Sequence, residues 1–287
     1  MSLQERSEAL EPSVRVASAG SALFASDMHL DDSDPALSSR FLESLDAGCA
    51  ASLASLEPGE AAPALFLLGD LFEYWIGDDD VPTAAQAVAD RLAAFAEAGG
   101  RVFLMHGNRD FLLDAPLPAQ PDVPKYSARC HAVLLPDPSL IEVGGRRIVL
   151  SHGDALCTDD HRYQQWRALC RSAGWQQQFL GRPVAERRAM ALQLRQQSMQ
   201  AQAATETLTD VNRHAAEQLM RQMGSTLLIH GHTHRPRLHR WPAPAEDGQD
   251  PRPASGQGML ERWVLSDWGL TPPRGAVVSA AAIPPAC

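Results

Sequence analysis

An α/β architecture interrupted by a helical insertion follows from three features of this 287-residue sequence. Short apolar runs alternate with helix-patterned stretches, the pattern of strands buried in a helix-covered sheet. Most of these runs end in Gly beside Asp, His or Asn, and sites of α/β folds lie beyond strand ends. Between Asp160 and Met223 the strand pattern stops, and a stretch rich in Gln, Ala and Arg replaces it.

The elements are expected in the following order. Residues 1–20 read as a disordered tail, and the main domain is expected over 21–270. SALFAS (21–26) is the first strand and leads into Asp27. A polar loop follows, then a helix around Ala36–Leu56. PALFLLGD (63–70) is a second strand ending in Asp70. Residues 83–98 are Ala-rich and helical, stopped by Gly99 and Gly100. RVFLMHGNRD (101–110), RRIVLSHGD (146–154), STLLIHGHTH (225–234) and ERWVLSDWG (261–269) supply four more strands. Residues 160–223 read as two to four inserted helices forming a cap. The Pro/Gly-rich segment 241–258 predicts a mobile loop, and 271–287 a second disordered tail.

Composition narrows the function. A formal charge of -10 argues against nucleic-acid binding, which needs a basic footprint. From His161 to Gly224 nine Arg face four acids, a local +5 that leaves about -15 for the remainder. Such a basic insert suggests a cap facing an anionic ligand. Asp78, Asp79 and Asp80 read as a solvated turn. The five Cys are scattered, without a CxxC pair, and read as free thiols in a reducing compartment. The first residues are polar and acidic, without the apolar core of a secretory signal. No apolar stretch approaches the ~18 residues of a membrane span. A cytoplasmic location is expected.

The chemistry is carried by an ordered series: DMH, GD, GNRD, SHGD and GHTH, each behind an apolar strand. Asp27 and His29 are two residues apart, as are His232 and His234. In extended backbone such pairs point to one side. With Asp70, Asn108 and His152 they make seven oxygen and imidazole donors and no thiolate. That set suits Mn²⁺, Fe²⁺ or Zn²⁺ away from a structural Cys site. Seven donors exceed one tetrahedral ion and suit two ions sharing a carboxylate.

In this order the motifs resemble the calcineurin-like metallophosphoesterase family, from about Ser21 to Trp268. The resemblance implies a two-sheet β-sandwich flanked by helices, with Asp70 as the bridging carboxylate. It implies Asp27, His29 and His234 around one ion, and Asn108, His152 and His232 around the other. Asp70, Asn108, Arg109 and His152 would be the catalytic set. Arg109 stands where the wider family has His, and Arg can clamp phosphate in a bidentate fashion.

Longer strings, GDLFEYWIGDD (69–79), SHGDALCTDD (151–160) and HGHTHRP (230–236), resemble the branch that acts on UDP-2,3-diacylglucosamine in lipid A synthesis. That branch implies release of UMP by metal-activated water attacking the phosphorus next to uridine. It implies two Mn²⁺ ions and a peripheral protein on the cytoplasmic face of the inner membrane; a monomer is expected. Asn108, Arg109 and His232 would also touch substrate. Asp160 and Ser198 match substrate-binding positions of that branch. Gln202 and Thr205 stand where it often has Asn and Lys. Trp166, Leu169, Trp175, Phe179, Leu180 and Met190 could line an acyl groove, although helix packing would use most of them. The alternatives are a phosphodiesterase acting on a soluble nucleotide, and a non-catalytic metal-binding scaffold or lipid carrier.

Overall fold

The computed structural model describes residues 11–16, 22–56, 61–204, 210–244, 258–268 and 278–279. Two sheets stack face to face. The first holds β1 (Val14–Val16), β6 (Ser139–Val143), β7 (Arg146–Ser151), β8 (Leu227–His230), β10 (Met259–Val264) and β9 (Arg237–Pro242), in that order. The second holds β11 (Val278–Ser279), β2 (Ala22–Ala25), β3 (Ala64–Leu67), β4 (Arg101–Met105) and β5 (Ala132–Leu135). β2 to β5 are parallel, and β7 is parallel to β8. Their C-terminal ends therefore open on the same side within each sheet.

Strands β2 and β3 are buried on both faces, which explains their unbroken apolar sequence. Inward, Phe24, Phe66 and Phe103 stack at 5.2 and 5.0 Å and meet Ile141, Leu150 and Ile229 of the facing sheet. Outward, Leu23, Leu65 and Leu104 pack under α1 (Pro35–Ala54) and α2 (Thr83–Glu97). Helix α1 starts where Asp34 accepts from the Leu37 amide at 2.9 Å, with Pro35 in the first turn. It buries Leu37, Phe41, Leu45 and Cys49, one every four residues. The α2 start is capped from a distance: Asp32 accepts from the Thr83 and Ala84 amides at 3.1 and 2.7 Å. A short helix, α3 (Tyr126–Arg129), precedes β5.

The expected helical insertion holds α4 (His161–Cys170), α5 (Ala173–Leu180), α6 (Val184–Ala204) and α7 (Arg213–Gln222). It is not one unit. Helix α7 buries Ala216 and Met220 against Val149 and Leu228, as the crossover helix that parallel β7 and β8 require. Helices α5 and α6 instead extend the core under α1 and α2, through buried Phe179 and Leu180 and half-buried Trp175 and Met190. Core packing thus takes much of the apolar set expected to line a groove, while Leu169 stays 53% exposed.

The structure corrects four further expectations. Val14–Val16 does not lie in a tail: it pairs with Ile141–Val143, burying Val14 and Val16. Residues 278 and 279 pair with Phe24 and Leu23, within the second expected tail. Trp241 and Pro242 belong to β9, and residues 245–257 of the expected loop lie outside the described residues. Finally, Asp78–Asp80 is no solvated turn. Asp78 is buried and accepts from Trp75 Nε1 at 2.8 Å and the Tyr126 amide at 3.0 Å. Asp79 holds the buried Arg187 of α6 in a two-pronged pair, and Asp80 pairs with Arg188 at 2.7 Å.

The four described Cys are buried and free, and burial pushes the Cys49, Cys130 and Cys157 thiols up to about 12. Cys287 lies outside the described residues.

Two outcomes are expected. Arg187→Ala strands Asp79 in the interior and should cost about 3–5 kcal/mol in chemical unfolding. Burial raises the Asp78 carboxyl from 3.8 to about 6. The folded state then keeps a proton that the unfolded state releases, so stability is full below 3.8 and falls as pH rises through 6. Measured against Asp78→Asn by urea unfolding, the loss should reach ~3 kcal/mol at most.

Candidate active site

The seven donors converge where the ends of β2, β3, β4, β7 and β8 meet. Their local backbone is unusual. Asp27, His29, Asp70, His232 and His234 have φ of 56, 51, 52, 66 and 53°. This left-handed region is sparsely used by residues with a Cβ, and such strain concentrates at functional sites. Extended backbone is therefore not what aligns Asp27 with His29 or His232 with His234. The left-handed turns do so, and they also aim amides at carboxylates. The His232 amide donates to both oxygens of Asp27 at 3.0 and 2.9 Å, and the Arg109 amide to Asp70 Oδ1 at 2.8 Å.

Two glycines permit the approach. A Cβ on Gly107 would lie 2.1 Å from Asp70 Oδ1, and one on Gly231 1.9 Å from Ser26 Oγ and 2.1 Å from Asp27 Oδ2. Asp110 ties the loops from below. It is fully buried and accepts from the Gly107 amide at 2.7 Å and the Leu71 amide at 2.7 Å.

Two compact donor groups result. Asp27, His29 and His234 each place one donor atom within 4.8 Å of the others, and so do Asp27, Asp70 and His152. Asp70 spans the two, with Oδ2 3.8 Å from His29 Nε2 and Oδ1 3.7 Å from His152 Nε2. That is the position a shared carboxylate needs. Asn108 Oδ1 lies 2.9 Å from His152 Nε2 and 2.8 Å from His232 Nδ1, which brings the last two donors to the same edge.

The imidazoles are oriented from behind. Nδ1 of His29 lies 3.3 Å from Glu73 Oε2, Nδ1 of His234 3.5 Å from Asp267 Oδ2, and Nδ1 of His152 2.9 Å from the Leu68 carbonyl. The Leu68 carbonyl holds a proton on His152 Nδ1, and Glu73 and Asp267 set carboxylates beside the His29 and His234 rings, the kind of backing that metal-ligating His takes. His29 and His234 bring their Nε2 atoms within 3.2 Å.

Electrostatics make the same point. Burial alone would lower the pKa of His152, yet Asp70, Asp27, Asp154 and Asp137 carry it up to about 9. Burial would raise Asp27, yet His234, His152 and His29 hold it well below the usual carboxylate range. Buried carboxylates in this excess draw in a cation, either a proton on imidazole or a metal that displaces it. The donor chemistry and the convergence of the His29, His152 and His234 Nε2 atoms on Asp27 and Asp70 fit two divalent ions.

The remaining expected residues divide. Arg109 Nε is buried without a hydrogen-bond partner beside this centre. Asp160 caps α4, accepting from the Tyr163 amide at 2.9 Å. Ser198 and Gln202 fall on α6 with side chains outside the described residues, and Thr205 lies outside them entirely. His106 Nε2 meets the Leu113 carbonyl and His230 Nδ1 the Gly231 carbonyl, each at 2.8 Å, and both rings lie outside the two donor groups.

Sequence reasoning missed four residues. Glu73 and Asp267 back two imidazoles. Asp154, fully buried, accepts from Tyr163 Oη at 2.6 Å, Arg167 Nε at 2.8 Å and Arg171 at 3.3 Å. Tyr163 lies 5.9 Å from the His232 ring. Asp154 sits within the SHGD string and could have been singled out there. The partners of the others are remote in sequence.

A sandwich whose strand-end loops gather two carboxylates, an amide and four imidazoles is the frame of a metallophosphoesterase, and the chain belongs to the calcineurin-like phosphoesterase family, which matches residues 21–236. Its relatives include a UDP-2,3-diacylglucosamine hydrolase of Aromatoleum aromaticum, 43% identical over 249 residues, covering 86% of this chain and 89% of that one. Proteins of the same name from Chromobacterium violaceum and Stenotrophomonas maltophilia are 43% and 40% identical, over 85% and 86% of this chain and 89% and 90% of theirs.

Gly231→Ala should keep the fold but abolish metal uptake, because its Cβ would collide with Ser26 and Asp27. Elemental analysis beside circular dichroism checks this.

Proposed function

We propose that this chain hydrolyses the diphosphate of UDP-2,3-diacylglucosamine to UMP and 2,3-diacylglucosamine 1-phosphate in lipid A biosynthesis. One observation carries the reading: relatives alike across about 86% of the chain are named for this activity. The convergent donor set is what such a reaction needs. In this reading Asp27, His29, Asp70 and His234 hold one Mn²⁺, and Asp70, Asn108, His152 and His232 a second; Fe²⁺ and Zn²⁺ are the less favoured ions. Bound divalent ions supply Lewis-acid activation of water and neutralise phosphoryl oxygens. Water attacks the phosphorus next to uridine in line, and lipid phosphate leaves.

The chain's own residues set the stage for that step. Asp27, Asp70 and His152 are out of contact with solvent, which strengthens every charge interaction among them. Asp110 fixes the backbone of Asp70, and His29 and His234 are fixed by Glu73 and Asp267. Arg109, its Nε free to donate, would clamp a phosphoryl oxygen and stabilise the charge that develops there. Asn108 and His232 would line the same face, and the resemblance assigns Asp160, Ser198, Gln202 and Thr205 to binding of the head group. Among the described residues no helix is long and apolar enough to cross a membrane. Access to a diacyl substrate is therefore proposed from a peripheral seat on the cytoplasmic face of the inner membrane, as a monomer.

The test is Mn²⁺-dependent release of UMP from UDP-2,3-diacylglucosamine in ¹⁸O-water. Multiple turnovers with label in UMP are expected, nearly abolished in Asp70→Ala. Arg109→Ala should lower turnover by roughly 10²-fold with metal retained. Cleavage of simple phosphodiesters without turnover of this lipid would redirect the assignment to a soluble nucleotide.

A further inference from the structure

Glu73 joins two parts of the molecule that the reaction brings together. Its backbone is locked beside His29: the Glu73 amide donates to the Leu30 carbonyl at 3.1 Å, and Leu30 forms a β-bridge with Phe72. Its carboxylate is then used at both ends. Oε2 lies 3.3 Å from His29 Nδ1, and Oε1 forms an ion pair with Arg195 Nε at 2.9 Å. The Glu73 and His29 side chains are only 14% and 16% exposed. Arg195 is on α6, about two turns beyond the Arg187 and Arg188 pairs that set the seating of that helix.

We propose that Glu73 is a positioning residue that holds the His29 imidazole in place for metal binding, and that Arg195 holds Glu73 in place. Seating of α6 and affinity at the Asp27, His29 and His234 group are then one coupled property. A carboxylate free of Arg195 could swing away from His29, and the imidazole would lose its orientation. This inference rests on the two-ion reading of the centre.

Calorimetric titration of the metal-stripped full chain with Mn²⁺ tests it. The unaltered protein should take up two ions. Glu73→Gln should weaken one of them by about 10–100-fold. Arg195→Ala should weaken the same ion, Arg195→Lys should largely restore it, and the double variant should be no weaker than Glu73→Gln alone. Arg188→Ala, which removes a different α6 tether, should bind both ions normally. Unchanged affinity in Glu73→Gln would overturn the proposal. So would additive losses in the double variant, or an equal loss in Arg188→Ala, which would point to general loosening of α6. Failure of the unaltered protein to take up Mn²⁺ would overturn the two-ion centre and this inference with it.

Discussion

Asp27 and Asp70 have to be held side by side out of water, and much of the architecture serves that demand. Two buried carboxylates repel each other and lose hydration, so each must be met by donors. The donors are largely main-chain amides. His232 and Arg109 turn theirs onto Asp27 and Asp70, and Ser26 adds a hydroxyl at 2.7 Å. An amide can reach a carboxylate at the end of a neighbouring strand only if the loops nearly touch. That requirement accounts for the glycines at 107 and 231, for the left-handed turns, and for Asp110 beneath them. The strained backbone is thus the local expression of an electrostatic problem.

The inserted helices show how a basic segment can be committed to structure. Their positive charge suggests attraction of an anionic ligand, yet Arg167 and Arg171 meet Asp154, Arg187 meets Asp79, Arg188 meets Asp80, and Arg195 meets Glu73. Five of the nine Arg of the insert are thus committed to acids of the body. Arg171 also donates to the Gly107 carbonyl at 2.9 Å, so the loop that carries Asn108 and Arg109 is braced by the insert.

The main strands of the core and the seven donors were legible because each is a local event: an apolar run, then Gly, then a donor. The edges were not. β1 is three residues long, and its pairing with β6 is parallel and remote. β6 and β7 do carry a local signal in Gly144-Gly145, with φ of 56 and 76°, which suits a tight hairpin. Asp78–Asp80 looked solvated because a run of acids usually is, and only the fold shows Arg187 arriving from over 100 residues away. The backing of His29 and His234 was hidden for the same reason. A carboxylate becomes a brace through distance in space, which spacing along a chain does not encode.

The order of the donors along the chain has a consequence for synthesis. His29 and His234 touch across 205 residues, and His232 donates to Asp27 across the same span. The Asp27, Asp70 and His152 group is therefore translated first, while its closing partners remain unmade. At roughly 5–20 residues per second, the ribosome needs several seconds more to deliver the GHTH loop. For that interval Asp27 lacks the His232 amide, and β7 lacks the β8 strand it pairs with. Loading with metal thus belongs after the last β-strands dock, and competition for ions in the cell is decided by a finished protein.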